Sequence, residues 1–401
     1  MTEDMNRVNI SHQKEITLNR ICLKKIMTQR VTMKNKSVAA LRWIFGMDNN
    51  DIAKGPINNY GITILIPAYN EEKTIADTIQ SALAQTVLPD EIIVIDDHSS
   101  DRTGEIAASL GVTVIRTNVN QGTKATALKY VMDLGLVKTE LYITMDADTV
   151  LDQNCIKNSL PYFNDPLTAA VCSNIIPARI HSLWERGRFI EYVFGISLFK
   201  MAQNHIGAVL VASGCFTIFK TDIVMEMGGY QTRTMGEDMD LTWELSMKGY
   251  RICCVRDAYC YPYDPPTKKI YIGQVDRWYR GYFQNLALHW KMLLKRDKKL
   301  AAFAFGYLID AAFFMLVILF AVLYSIQHLT FSAVLLVLVV DTAIISLFSI
   351  IEGIRIKRFG QVFLSIPSYQ ITRAVNFYIF WRSMWKEWVM KDKLNVWVKG
   401  H

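Results

Sequence analysis

Two apolar runs toward the C-terminal end set the strongest limit on what this chain can fold into. "AAFAFGYLIDAAFFMLVILFAVLY" (301–324) and "LTFSAVLLVLVVDTAIISLFSII" (329–351) each contain a single charged residue, Asp310 and Asp341. As helices, both are long enough to cross a hydrocarbon core of roughly 30 Å. In lipid every backbone amide and carbonyl must find its partner within the segment, so helices are the expected form. Lys295, Arg296, Lys298 and Lys299 precede the first run, and Arg355, Lys357 and Arg358 follow the second. The pair therefore reads as a hairpin with "SIQH" (325–328) outside and the rest of the chain on the cytoplasmic side of a plasma (inner) membrane. A third segment, "VFLSIPSYQITRAVNFYIFW" (about 362–382), holds Pro367 and Arg373 and leads into the basic, Trp-rich "RSMWKEWVMKDK". It reads as interfacial or re-entrant, with a third span as the alternative. Asp310 and Asp341 are expected to face a bundle or pore, or to be solvated near a span end.

Ahead of these runs the pattern changes twice. Residues 1–58 are polar and basic around one apolar patch, "VAALRWIFG" (38–46), which reads as an interfacial helix or as part of a loosely ordered leader. No apolar h-region opens the chain, so no secretory signal is expected. From Ile62 to about Arg256, short apolar runs alternate with amphipathic stretches, as in an α/β fold with a mostly parallel sheet. "ITILIPAY" (62–69) and "EIIVIDD" (91–97) are the clearest strands, and "EEKTIADTIQSALAQ" (71–85) between them sets Ile75, Ile79 and Leu83 at helical spacing behind an acidic first turn. "GVTVIR", "LYITMD" and "AAVCS" continue the series. Ligands of such sheets gather at the carboxyl ends of the strands. The expected domains are a leader (1–58), a sheet domain (59–292) and a membrane region (293–401) with spans at about 301–324 and 330–351.

Charge and cysteines narrow the function classes. The formal charge is +7, but Lys and Arg flank the apolar runs rather than forming a tract interleaved with aromatics. That arrangement favours membrane lipids with anionic headgroups over nucleic acid. The seven cysteines are odd in number and lack C-x-x-C spacing, which argues against a disulfide framework and a zinc site.

"LYITMDADTVLD" (141–152) reads as a half-buried strand ending in Asp146 and Asp148, with Thr149 and Asp152 beyond. Such an oxygen-rich edge suits a hard divalent cation, and that cation can neutralise a diphosphate. Alone, D-x-D says little, because acidic residues are common at strand ends. Its company says more. "IPAYNEE" (66–72) and "VIDDHSSD" (94–101) also end strands with polar groups, and "MGEDMDLTWELSMKGY" (235–250) opens an amphipathic helix with Glu237 and Asp238. In "QVDRWYRG", Gln274, Arg277 and Trp278 share one face if the stretch is helical.

Taken in order, P-x-Y-N-E (67–71), D-D-x-S-x-D (96–101), K-A-x-A-L (124–128), D-x-D (146–148), G-E-D (236–238) and Q-x-x-R-W (274–278) make this chain resemble the family-2 inverting glycosyltransferases over 62–278. Among these it is similar to the processive membrane synthases of cellulose, chitin, hyaluronan and poly-N-acetylglucosamine. The resemblance implies a GT-A-like domain using a UDP-sugar, with Pro67, Tyr69, Glu71, Asp97, Lys124 and Asp146 around the nucleotide sugar. It further implies Mg²⁺ or Mn²⁺ on Asp146 and Asp148, Asp238 as general base, and Glu237, Gln274, Arg277 and Trp278 toward the acceptor and diphosphate. Glu237 is also expected to orient or cap the helix start, and Asp240 and Glu244 read as a solvated face. Many relatives have N-x-G-K-A where this chain inserts Thr123 before Lys124. The segment 181–207 is either an acceptor-side region or a helix packed on the sheet.

The expected activity is transfer of a sugar, N-acetylglucosamine favoured, to a β-linked polysaccharide. Alternatives are a lipid-linked acceptor or an inactive sugar-binding scaffold subunit. Spans ahead of the catalytic domain, usual in such synthases, are not read here. A polymer path would then call for a homo-oligomer or an auxiliary membrane subunit.

Overall fold

The structure is a computed structural model that describes residues 58–394, so the apolar patch at 38–46 lies outside the described residues. Eight strands form one sheet: β1 (Ile62–Ala68), β2 (Glu91–Asp96), β3 (Thr113–Arg116), β4 (Leu141–Met145), β5 (Thr149–Leu151), β6 (Thr168–Ile175), β7 (Phe216–Lys220) and β8 (Arg251–Pro262), in the order β3-β2-β1-β4-β7-β6-β8-β5. β3, β2, β1 and β4 are parallel neighbours, while β7 and β5 run against the strands beside them. The chain moves outward from β1 to β2 and β3, then returns to β4 on the other side of β1. That reversal opens a crevice at the carboxyl ends of β1 and β4.

Helices cover both faces. Ile62, Ile64 and Ile66 of β1 pack with Ile75 and Ile79 of α1 (Ile75–Leu83) and Ala107 of α2 (Thr103–Ser109). Leu65, on the opposite face, packs with Leu128 and Val131 of α3 (Lys124–Asp133). β4 corrects the half-buried reading of "LYITM". All five of its residues are buried, with Tyr142 in one core and Ile143 in the other. A central strand between two helical layers has no solvent face, and such strands lose the polar alternation.

Thr123, the extra residue before Lys124, is the N-cap of α3 and accepts a hydrogen bond from the Thr126 amide at 3.2 Å. The insertion starts the helix at Lys124 itself.

The remaining helices form the second half of the molecule. α4 (Leu183–Phe194) begins with a capping box between Ser182 and Glu185 and runs through a π turn into Met201–Ile206. α5 (Glu237–Met247) precedes β8, and the 29-residue α6 (Lys268–Arg296) follows it. α7 (Lys298–Gln327) and α8 (Ser332–Arg355), with hydropathies of 2.4 and 2.7, are each long and apolar enough to cross a membrane. Their large side chains, such as Ile309, Phe313 and Phe320, lie exposed, as a lipid-facing surface requires. α9 (Phe359–Met384) is one continuous helix with Pro367 inside it. Its Arg373 donates to Asp341 of α8 at 2.6 Å, so two charges that would be costly in an apolar layer neutralise each other.

Candidate active site

A cavity of about 420 Å³ opens at the carboxyl ends of β1, β2 and β4, between α3, the start of α5, and α6. Its first wall comes from the loops after β1 and β2. Pro67 is the next-to-last residue of β1, and Asn70 follows with φ 55°, a left-handed turn that places Tyr69 and Glu71 at the cavity edge. The Asn70 amide donates to Ser99 Oγ at 3.0 Å, and the Glu71 amide donates to Thr103 Oγ1 at 2.7 Å, lacing this loop to the next. Of the paired acids, Asp96 is 1% exposed and structural: it accepts from Arg116 at 2.5 Å and from the Ser99 amide at 2.9 Å. Asp97 lines the cavity, its Oδ1 accepting from the Gln121 amide at 2.8 Å and Thr117 Oγ1 at 3.0 Å. Burial raises the Asp97 carboxyl above its ordinary value, against the pull of those donors.

The second wall is the turn between β4 and β5. Asp146 and Asp148 both line the cavity, and the Asp148 carbonyl accepts from the Tyr263 amide at 2.8 Å, fixing the turn to the end of β8. Lys124, from the first turn of α3, pairs with Asp146 Oδ1 and donates to the Gly214 carbonyl at 2.7 Å. Burial works against this ammonium, yet Asp146 and Glu237 overcome it and keep the lysine charged. A Cβ at position 214 would stand 2.8 Å from the Lys124 nitrogen, so glycine is what allows the ammonium to reach the loop. The Gly214 amide in turn donates to Asp238 Oδ2 at 3.2 Å, linking the two sides.

Glu237 and Asp238 open α5 as its first residues. The segment ahead of them is held by α6: the Met235 amide donates to Gln284 Oε1 at 2.8 Å, and Asn285 donates to the Gly236 carbonyl at 2.9 Å. A Cβ on Gly281 would lie 2.8 Å from the Gly236 nitrogen, so the two backbones meet this closely only because residue 281 is glycine. Glu237 lies deep in the protein and keeps part of its surface on the cavity. Burial and then the neighbouring Asp238 push its carboxyl up to about 7, against Lys124 and Arg277. Its folded value exceeds its unfolded one, so the native state binds the extra proton between about pH 4.5 and 7, and stability falls as pH rises through that window. Thermal melts of the ligand-free protein are therefore expected to drop from pH 5 to pH 7.5, and Glu237→Gln to flatten that drop. Equal slopes in both proteins would contradict it.

Asp240 and Glu244 correct the solvated-face reading. Asp240 is 1% exposed, and Arg233 donates to both of its oxygens at 2.9 Å while also pairing with Glu244. His289 of α6 contacts the same carboxylate at 2.5 Å. The donor atoms of Asp240, Glu244 and His289 lie within 4.8 Å of one another, a spacing a cation could bridge. Arg233 already supplies the positive charge, and none of the three lines the cavity, so this cluster pins α5 to α6.

Gln274, Arg277 and Trp278 lie on α6 and complete the cavity. All the sequence-predicted site residues thus border one space. Asp264, which the sequence reading missed, also lines the cavity, and Arg188 and Lys200 support its lining from behind. Arg188 of α4 donates to Gln274 Oε1 at 2.9 Å and lies 4.4 Å from the Trp278 ring. Asp264, just past β8, accepts from Tyr192 at 3.0 Å, and burial drives its carboxyl up to about 7. Lys200, at the end of the π turn, donates to Ser213 at 2.7 Å and so supports the loop that reaches Asp238.

The acidic turn fits a divalent cation. Asp146 has one oxygen engaged by Lys124, and the carboxylates of Asp146 and Asp148 stand two residues apart on the same cavity wall. One or two carboxylates completed by phosphate oxygens and water is how Mg²⁺-like ions are usually held.

Residues 63–228 match the model of glycosyl transferase family 2. This stretch is a family-2 glycosyl transferase domain. Its sheet and flanking helices are of the GT-A-like kind, and Glu237, Asp238, Gln274, Arg277 and Trp278 lie beyond the matched residues in the same cavity. The chain is 35% identical over 234 residues to the poly-beta-1,6-N-acetyl-D-glucosamine synthase of Staphylococcus aureus (strain COL), covering 55% of this chain and 54% of that one. It is 31% identical over 243 residues to the synthase of the same name from Staphylococcus epidermidis, covering 59% and 58%. The chain thus spans a little over half the length of these relatives. Among solved structures it is similar in fold to the mannosyltransferase PcManGT from Pyrobaculum calidifontis, in complex with GDP-Man and Mn²⁺. That likeness has a TM-score of 0.53 and 17% identity, over 85% of this chain and 97% of the other.

Proposed function

We propose that this protein is a membrane-bound inverting glycosyltransferase that moves N-acetylglucosamine from a UDP-sugar to the growing end of a β-linked polysaccharide. The observation that carries the reading is the joining of two chemistries in one cavity. Lys124, Asp146 and Asp148 form an anion-handling wall, and Asp238 stands across from it with Trp278 and Arg277. The donor sugar is inferred from the two staphylococcal relatives named above. The apolar α7 and α8, with the basic residues around them, support a multi-pass protein of the plasma membrane whose transferase domain faces the cytoplasm.

In this mechanism Asp97 accepts from the uracil ring through Oδ2, Tyr69 packs beside that ring, and Pro67 and Glu71 shape the nucleotide pocket. Lys124 meets the diphosphate as a point charge and Arg277 meets it as a fork. Asp146 and Asp148 would hold Mg²⁺ or Mn²⁺, which when bound offsets negative charge on the departing diphosphate. Asp238 takes the proton of the attacking acceptor hydroxyl. Amides donate to both of its oxygens, from Met239 at 2.8 Å and Gly214 at 3.2 Å, which orients the carboxylate. The new bond forms to the anomeric carbon as the bond to the diphosphate oxygen breaks, with inversion. Glu237 orients the start of α5, and Trp278 offers an indole face to the acceptor sugar.

A lipid-linked acceptor is the second reading, because Tyr307 of the apolar helix α7 lines the same cavity. Radiolabelled product from UDP-N-acetylglucosamine separates the two. The polymer reading predicts large, water-soluble material cleaved by a β-N-acetylglucosaminidase. Small product that partitions wholly into organic solvent would replace it with the lipid reading.

A further inference from the structure

We propose that Arg188 is a positioning residue for the acceptor side of the site, holding the Gln274 amide and the Trp278 ring of α6 from its seat on α4. The inference rests on the functional reading above and adds to it a residue from a helix with no site motif.

Arg188 has no exposed surface. Its two terminal nitrogens point to different partners, Glu191 Oε2 at 2.7 Å and Gln274 Oε1 at 2.9 Å. Its Nε lies 3.6 Å from Asp264 Oδ1. The same guanidinium stands 4.4 Å from the centre of the Trp278 ring and 4.5 Å from that of Tyr271. Tyr271, Gln274 and Trp278 are spaced i, i+3 and i+7, so they form one stripe down α6, and a single side chain engages all three turns.

Two consequences follow for an acceptor. With Gln274 Oε1 held by Arg188, the amide NH₂ is the end left to donate to a sugar oxygen. Trp278 keeps 36% of its surface exposed while the guanidinium fixes its ring, so the indole is presented in one orientation. Glu191 and Asp264 orient the guanidinium from behind, and burial pushes the Asp264 carboxyl up to about 7 while Arg188 pulls it back. An ammonium cannot replace this group. It can donate to the same carboxylates, but it lacks the flat face and the fixed fork that reach an amide and a ring together.

The test compares full-length wild-type protein, Arg188→Lys and Glu191→Gln in detergent. UDP release is followed against varied UDP-N-acetylglucosamine and against varied soluble β-linked N-acetylglucosamine oligosaccharide. For Arg188→Lys the expected result is a rise of about tenfold in the oligosaccharide KM, with the donor KM within about twofold of wild type. Glu191→Gln removes one anchor of the fork without removing the cation. It should shift the oligosaccharide KM the same way by about threefold, and it decides the matter if Arg188→Lys does not fold. An unchanged oligosaccharide KM in a folded variant, or equal rises in both KM values, would overturn the proposal. If wild-type protein turns over no UDP-sugar, the functional reading falls. Calorimetric binding of the oligosaccharide alone then decides on Arg188: binding weakened about tenfold by the lysine supports it, and equal or absent binding in both proteins overturns it.

Discussion

Asp238→Asn lowers the rate of UDP release in the presence of acceptor by about 10² to 10⁴, the usual cost of losing a general base. The substitution is close to isosteric, and an asparagine oxygen can still accept from the Gly214 amide that now reaches Asp238 Oδ2 at 3.2 Å. Fold and donor binding should therefore survive, with the donor KM within about threefold of wild type. Asp240, two residues along the same helix, gives the contrasting case. Asp240→Asn leaves Arg233 and His289 facing an amide in a buried place, so it should lower the melting temperature rather than abolish the chemistry. Full activity in Asp238→Asn would remove this residue from the base role, and Glu237 would be the next carboxylate to test.

Asp148→Asn produces the second large effect, a loss of at least about 10² in rate at fixed Mn²⁺ with partial recovery at high Mn²⁺. Asp146 shares its charge with Lys124, and Asp148 lines the same cavity two residues further along the turn. Removing the Asp148 carboxylate should thus weaken a cation directly and leave the Lys124–Asp146 pair in place. A metal titration of UDP release reads this: the midpoint moves to higher Mn²⁺ in the variant. If rate and midpoint match wild type, Asp148 does not hold the ion. EDTA should abolish wild-type turnover, and added Mn²⁺ should restore it.

The parts of this site legible in the sequence are those that local chemistry marks. Strand ends carrying Tyr69, Asp97, Asp146 and Asp148 could be read because each follows a short apolar run and ends it with polar groups. The α5 start carries Glu237 and Asp238 in its first turn, where the helix dipole favours acids. What stays hidden depends on partners that the fold, not the local pattern, brings together. Asp240 and Glu244 have the i, i+4 spacing of a solvated face, and only Arg233 and His289, brought in by the fold, make Asp240 a buried anchor.

Arg188 shows the same limit more sharply. In "WERGRFIEY" it looks like one of several charges on an amphipathic helix, and nothing local separates it from Arg186. Its partners Gln274 and Trp278 are more than eighty residues away. The full burial of β4 is hidden for a related reason, since it follows from having β1 and β7 on either side and helices above and below. Thr123 could have been read, because a threonine just before a K-A-x-A-L helix is an ordinary N-cap signal.

The most direct measurement is UDP release by the purified full-length protein in detergent with Mn²⁺, given UDP-N-acetylglucosamine in one series and UDP-glucose in the other. The expected result is metal-dependent release that is at least about tenfold faster with UDP-N-acetylglucosamine. No release from either sugar nucleotide, by protein that still binds UDP, would contradict it.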